Sequence, residues 1–223
     1  MSFVPEPESA TSAAGGAGAA GTAGATPGTA AVPAPAARSS VATDVALVAT
    51  GAAFVAVCAL GSVTVPNMAV PITLQTLGVM LVGAILGARR GALAVLLYLA
   101  VGLAGLPVFA QGTGGLGVLG KPSLGYLLAF PLAAALAGFL VHRVQGVRPA
   151  VRPFAVFASL MTASLLLIHP LGITVMGARL GMSAGEAVAA GAVFLPGDVI
   201  KNALATVVTL AVLRAFPDLV RRR

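Results

Sequence analysis

An acidic and a basic residue, Asp198 and Lys201, lie three positions apart in the apolar segment VFLPGDVIKNALATVVTLAVL. At this spacing both side chains project from one face of a helix and can neutralise each other. Ionisable groups in a membrane segment usually face a partner, water or a ligand. A cyclic urea would suit this pair, because its N–H groups match the carboxylate and its carbonyl oxygen matches the ammonium. The alternative is an ion pair that only pins this helix to a neighbour.

The second candidate segment is the glycine-rich stretch GLPVFAQGTGGLGVLGKPSLGYL. Its glycines match GxGxxG and GxxxxGK spacings, but no strand precedes them, and Pro122 stands where a phosphate-binding loop needs Ser or Thr. These spacings therefore do not indicate a nucleotide site. Glycines still let the backbone approach a ligand closely, and Lys121 could bind an anionic group. A flexible turn with a solvated lysine is the alternative.

Three other polar side chains, Gln75, Gln111 and Tyr126, are candidate ligand contacts. For Gln75 and Tyr126, a hydrogen bond between packed helices explains the residue equally well. His169 precedes Pro170 and is expected to be a packing residue. The chain has no His and Cys cluster with metal-ligand spacing and no serine in a nucleophile motif with a matching base. No metal, cofactor or enzymatic activity is therefore expected.

Membrane helices are the elements expected to position these residues. Hydrophobic residues make up 58% of the 223 positions and charged residues 9%, and the mean hydropathy is +1.02. Soluble domains carry about 25% charged residues, so the sequence predicts an all-α integral membrane protein. The net charge is +7, but the basic residues fall in short turns between apolar runs. This pattern is typical of membrane topology signals rather than of a nucleic-acid-binding patch.

The chain divides into three predicted regions. Residues 1–42 are rich in Ala, Gly, Pro, Ser and Thr and are expected to form a disordered tail. A six-helix membrane domain is expected over 43–217, with Thr43 as the candidate N-cap of the first helix, and a basic cytoplasmic tail over 218–223. The second and third helices are shorter than the roughly 20 residues that a span needs. The helices are predicted over 43–65, 71–87, 91–106, 123–142, 153–176 and 196–216.

The basic residues predict the orientation of these six spans. Ten of them fall on the side that holds both termini, and three, Lys121, Arg179 and Lys201, fall on the other. The positive-inside rule therefore predicts that the N- and C-termini are cytoplasmic. It follows that Asp198 and Lys201 lie near the outer face, one turn into the sixth helix, on the same side as the loop 107–121.

The first predicted helix carries small residues four positions apart, namely Ala49 with Ala53 and Ala52 with Ala56. Such spacing permits the close approach of another membrane helix. We therefore expect the first helix to be a docking surface. The spacing alone leaves open whether the second helix belongs to this chain or to a partner.

Three stretches together resemble the BioY family, the biotin-specific substrate-binding subunits (S components) of energy-coupling factor (ECF) transporters. The segment VPITLQTLGVMLVGAILGARRGALAVLLYLAVGLAGLPVF resembles its second and third helices, GGLGVLGKPSLGYLLAFPLAA its outer loop and fourth helix, and FLPGDVIKNALA the start of its sixth helix. The resemblance implies an S-component-like bundle of six helices, with a pocket near the outer face that the outer loops close. It also implies that Asp198 and Lys201 contact biotin.

The same resemblance implies partners and a cellular role. Small residues of the first helix would dock on a membrane coupling subunit that carries two cytoplasmic ATPases. The predicted function is a biotin-binding subunit for uptake across the cytoplasmic membrane, with Lys121, loop N–H groups or the N-terminus of the fourth helix binding the biotin carboxylate. Two alternatives remain at this point: an ion-coupled secondary transporter for another small solute, and an assembly protein without a small-molecule ligand.

Overall fold

The computed structural model describes residues 41–66 and 68–216. This part of the chain contains seven α-helices and one small antiparallel strand pair, in which Ser62 pairs with Thr73 and Val63 with Ile72. The elements are α1 (Val41–Leu60), β1 (Ser62–Val63), β2 (Ile72–Thr73), α2 (Gln75–Leu103), α3 (Leu124–Arg143), α4 (Arg152–Ala163), α5 (His169–Leu180), α6 (Ala184–Ala192) and α7 (Leu195–Ala215).

Five helical stretches within the described ranges are long and apolar enough to cross a membrane, as expected for a multi-pass membrane protein. The sequence predicted six, and the difference lies in α2, which contains both the predicted second and third helices. The stretches are Val41–Leu60, Gln75–Leu103, Leu124–Gly146, Arg152–Leu180 and Leu195–Ala215.

The helix α2 reverses direction in its middle. Gly87 has φ 83° and ψ 175°, a conformation that breaks the helix and that favours glycine. The two arms, 75–86 and 88–103, then lie against each other, because Gly91 packs on the backbone of Gly83. At the far end of the arms, the Gln75 amide reaches the Tyr98 hydroxyl. The arms therefore form a tight helical hairpin rather than one long rod.

A π-helical turn over Ser164–Ile168 joins α4 to α5. In this turn the backbone N–H of His169 bonds to the carbonyl of Ser164, five residues earlier. Pro170 has no N–H to offer to the carbonyl of Leu166, so the regular α-helical ladder cannot continue here. The two helices and the turn form one continuous span over Arg152–Leu180. This agrees with the predicted helix over 153–176 with Pro170 inside it, but the π-helical turn was not predicted.

The helix α3 packs through small residues against the hairpin. Ala133, Ala134 and Ala137 are fully buried on it. A Cβ atom on Gly138 would meet backbone atoms of Ala88, so the two backbones touch directly. Small residues permit such close approach between membrane helices, and this contact forms the centre of the apolar core.

Several predicted boundaries differ from the structure. The first helix occupies Val41–Leu60 rather than 43–65, so Thr43 lies inside it and is not its N-cap. Residues 1–40 and the predicted basic tail 218–223 lie outside the described residues.

The short helix α6 was not predicted, although Ser183 and Glu186 form a capping box there. Hydrogen bonds from the hydroxyl and backbone N–H of Ser183 lower the pKa of the exposed Glu186 carboxyl.

The basic side chains separate between the two ends of the bundle. At the hairpin turn, Arg90 pairs with Asp44 at the start of α1 (2.6 Å), and His142 at the end of α3 contacts the carbonyl of Ala84 (3.2 Å). At the opposite end, the Arg179 guanidinium donates to the loop carbonyls preceding α3. The first end holds Arg89, Arg90, Arg143, Arg148, Arg152 and Arg214, and the other holds Lys121, Arg179 and Lys201.

Candidate functional site

A cavity of about 270 Å³ lies at the end of the bundle that holds Lys121 and Lys201. Its wall comes from the segment that leads into α2, from the loop before α3, and from α3, α7 and the π-helical turn. The six residues predicted as ligand contacts all line it: Gln75, Gln111, Lys121, Tyr126, Asp198 and Lys201. The structure thus brings together residues that are up to 126 positions apart.

The start of α7 presents Asp198 and Lys201 to this cavity. Asp198 lies in the first turn, where the helix dipole favours an anionic side chain. The Lys201 ammonium lies 3.0 Å from Asp198 Oδ1. The hydroxyl of Thr76, on the first turn of α2, donates to the same carboxylate oxygen (3.1 Å) and accepts from the ammonium (3.1 Å). Thr76 therefore connects both charges to the hairpin, a role that the sequence did not reveal.

His169 contacts the other oxygen of the same carboxylate. Its Nε2 lies 3.0 Å from Asp198 Oδ2, and both side chains are buried, with residue exposures of 5% and 3%. The sequence predicted a packing role for His169. Burial is consistent with that role, but the partner is the charged group at the centre of the site. No sequence signal identified this contact, because it depends on which helices are neighbours.

Aromatic side chains form the apolar part of the wall. The rings of Tyr126 and Phe194 meet edge to face with centroids 5.8 Å apart, and Phe130 lies beside them. The Tyr126 ring lies directly on Gly172, where any side chain would collide with it. The Tyr126 hydroxyl is buried and has no hydrogen-bond partner within the described residues. A buried hydroxyl without a partner is costly, so this group is suited to meet a polar atom of a ligand.

Two hydrogen bonds at Gln111 hold the loop before α3 at the cavity. This residue adopts φ 61°, in the left-handed region that few side chains occupy. Its backbone N–H bonds to Ser62 Oγ (3.2 Å), and its side-chain amide donates to Thr64 Oγ1 (2.6 Å). These two bonds join the loop to the segment that connects α1 with α2.

Lys121 lies at the end of this loop, just before α3. Its ammonium donates to the hydroxyl of Thr113 (3.1 Å). Within the described part of the chain, Lys121 has no acidic partner in ion-pair range. Its charge is therefore available to an anionic group in the cavity.

No cluster of three or more potential metal ligands occurs among the described residues.

The alanines of α1 do not share one environment. Ala49 and Ala53 are exposed on the outside of the bundle. Ala52 is 7% exposed and belongs to the apolar core, and Ala56 packs against that core. Ala52 therefore packs within this chain and Ala56 is partly buried, so for these two the spacing serves internal packing at least in part, and docking on a partner stays a prediction. Ala49 and Ala53 remain accessible.

Comparisons with known proteins agree on one family. A family model described as the BioY family matches residues 28–218. The biotin transporter BioY of Rhizobium etli is 37% identical over 155 residues, which is 69% of this chain and 83% of the relative. The biotin transporter BioY of Rhodobacter capsulatus is 39% identical over 160 residues, which is 67% of this chain and 82% of the relative.

A solved structure has the same fold. The crystal structure of the S-component for biotin from an ECF-type ABC transporter superposes with a TM-score of 0.68 at 26% identity. The match covers 75% of this chain and 89% of that one.

Proposed function

Because the chain belongs to the BioY family, we propose that it is the biotin-binding S component of an ECF transporter and serves biotin uptake. One observation carries this proposal: Asp198 and Lys201, side by side, line a cavity with the four other candidate ligand contacts. A charge pair that only pinned helices together would not need to line a cavity.

Biotin has three chemically distinct parts, and the cavity offers a partner for each. The ureido ring suits the charge pair, with an N–H group donating to Asp198 and the carbonyl oxygen accepting from Lys201. The apolar thioether ring suits the aromatic wall formed by Tyr126, Phe130 and Phe194. The carboxylate suits Lys121, which has no acidic partner in the described residues, or the backbone N–H groups at the start of α3.

Direct binding measurements test this arrangement. We expect Asp198→Asn and Lys201→Ala each to weaken binding of radiolabelled biotin to the purified protein by about ten- to a hundred-fold, because a hydrogen bond to a charged group contributes about 1.5–3 kcal/mol. Ile200→Ala is the matched control, since Ile200 lies between them on α7 but is 70% exposed on the outside. Wild-type affinity in both charge variants would remove the pair from the binding site.

The membrane topology is also part of the proposal. The hairpin shape of α2 supports six crossings, because each of its arms leads from one end of the bundle to the other. The separation of basic residues supports cytoplasmic termini and an outward-facing cavity, in the cytoplasmic membrane. Single-cysteine variants in a Cys58→Ser background test this orientation with a thiol reagent that does not cross the membrane. Arg148→Cys should be labelled only after permeabilisation, whereas Arg179→Cys should be labelled in intact cells.

We further propose that Ala49 and Ala53 dock on a membrane coupling subunit, whose ATPases supply the energy. Both alanines are exposed on α1, and small residues permit close helix contact. Ala49→Leu and Ala53→Leu should abolish co-purification with the coupling subunit and leave biotin binding intact, whereas Val57→Leu, at another exposed position of α1, should not. Uptake that survives ATP depletion but collapses with an uncoupler would instead favour an ion-coupled transporter.

A further inference from the structure

The carboxylate of Asp198 is contacted from both sides. Lys201 and Thr76 contact Oδ1, while His169 contacts Oδ2 at 3.0 Å. Ile168 lines the cavity but His169 does not. The imidazole therefore lies behind the carboxylate, on the side away from the ligand space, and can act on a ligand only through Asp198.

The backbone places this imidazole by means of an irregular turn. His169 is the residue directly after the π-helical turn Ser164–Ile168, and Pro170 follows it. A π turn accommodates one more residue than an α turn, which rotates the following residues by about 100° around the helix axis. A regular α-helix would therefore direct His169 away from Asp198. Such turns recur at functional sites, and this one directs a polar side chain at the central carboxylate.

The surroundings of the ring indicate its tautomer. Neither buried ring nitrogen of His169 has a well-aligned hydrogen bond within the described residues, but Nε2 approaches Asp198 Oδ2 to 3.0 Å. A proton on Nδ1 would leave a buried donor unpaired, which costs more than an unpaired lone pair on that atom. A proton on Nε2 avoids this cost, because this atom lies 3.0 Å from Asp198 Oδ2. The other polar groups facing Asp198 and Lys201 are Thr76 on α2 and Tyr126 on α3.

We propose that His169 is a positioning residue for ligand recognition, an inference that rests on the proposed function. A carboxylate has about four lone-pair sites, and the contacts of Asp198 with Lys201, Thr76 and His169 occupy three of them. The remaining site belongs to Oδ2, and the 3.0 Å contact with His169 restricts its direction. Asp198 therefore accepts one ureido N–H in a defined direction, and a second N–H must bind elsewhere. Without His169, the carboxylate is free to turn about its Cβ–Cγ bond.

Three substitutions separate positioning from packing. His169→Gln keeps a donor at a reach comparable with Nε2 and should bind biotin within about three-fold of wild type. His169→Asn is equally polar, but its donor is too short to reach Oδ2, and it should weaken binding by about ten- to thirty-fold. His169→Leu keeps the volume without a donor and should behave like His169→Asn. Thermal unfolding without biotin shows that each variant is folded.

A double-mutant cycle with Asp198→Asn supplies the readout that a structural role would not change. If His169 acts through Asp198, His169→Asn should cost less than about three-fold in the Asp198→Asn background. Equal losses in both backgrounds, or wild-type binding by His169→Asn alone, would overturn the inference and leave the proposed function standing. Wild-type binding by Asp198→Asn would also overturn the inference, because His169 could not then act on biotin through Asp198, whereas failure of the wild-type protein to bind biotin would overturn the proposed function.

Discussion

The side-chain amide of Gln75 donates a hydrogen bond to the hydroxyl of Tyr98 over 2.8 Å, although 23 positions separate the two residues within α2. In an uninterrupted helix they would be about 35 Å apart. The bond thus joins the arms of the hairpin at the end opposite Gly87. Because Gln75 lines the cavity, the same bond that closes the hairpin also orients a wall residue.

Removing this bond should affect stability and binding together. Tyr98→Phe leaves the edge-to-face contact of the ring with Phe109 in place (5.3 Å) but removes the acceptor for Gln75. We expect a loss of about 1 kcal/mol in unfolding free energy and weaker biotin binding, measured by thermal unfolding with and without biotin. Reduced stability with unchanged affinity would show that Gln75 only closes the hairpin.

The contact between Gln111 and Thr64 should slow the release of biotin. Thr64→Val removes the acceptor of the 2.6 Å bond while keeping the shape of the side chain. One neutral hydrogen bond contributes about 0.5–1.5 kcal/mol, so dissociation should accelerate about two- to ten-fold. Chase of bound radiolabelled biotin measures this rate, with Thr50→Val on the exposed side of α1 as control. An unchanged rate would mean that this contact does not limit release.

Lys121 should recognise the carboxylate end of biotin. Lys121→Met should weaken biotin binding by about ten-fold or more, because a charge-assisted hydrogen bond is lost. The neutral amide of biotin should bind wild type and variant nearly equally. Isothermal titration with both ligands makes the comparison, and Arg148→Gln at the opposite end of the bundle is the control. Equal losses for both ligands would show that Lys121 shapes the loop through Thr113 instead.

The glycine at the crossing of α3 and the hairpin should not tolerate a side chain. A Cβ on Gly138 would meet backbone atoms that cannot move aside, so Gly138→Ala should destabilise the protein by about 1–3 kcal/mol. Gly185 is also helical but has open space around it, and Gly185→Ala should be neutral or slightly stabilising. Thermal unfolding of the two variants compares them, and equal midpoints would contradict the packing described for α3.

The charged residues of the site were predictable, whereas their partners were not. Asp198 and Lys201 stand out because charges are rare in an apolar segment, and Lys121 and Gln111 stand out in a glycine-rich loop. Thr76 and His169 have ordinary surroundings in the sequence. Their roles follow only from the packing of α2 against α7 and from the contact of His169, the first residue of α5, with Asp198. Helical periodicity cannot supply either.

The approximate places of the long apolar helices were predictable, but not their number or the way they join. Apolar runs located both arms of α2, yet only the conformation of Gly87 shows that they fold onto each other without a loop. Ala52 and Ala49 look alike in the sequence, and the orientation of α1 decides which of them is buried. The helix α6 was recognisable from Ser183 and Glu186 and was missed because its apolar run is short.

The hairpin also has a consequence for how the protein is made. The arms 75–86 and 88–103 rise about 18 Å and 24 Å, and the hydrocarbon layer is about 30 Å thick. Neither arm alone is long enough to be retained as a span during synthesis, so the two must enter the bilayer together as one insertion unit. A substitution at Gly87 that opened the turn would therefore reduce the amount of protein delivered to the membrane.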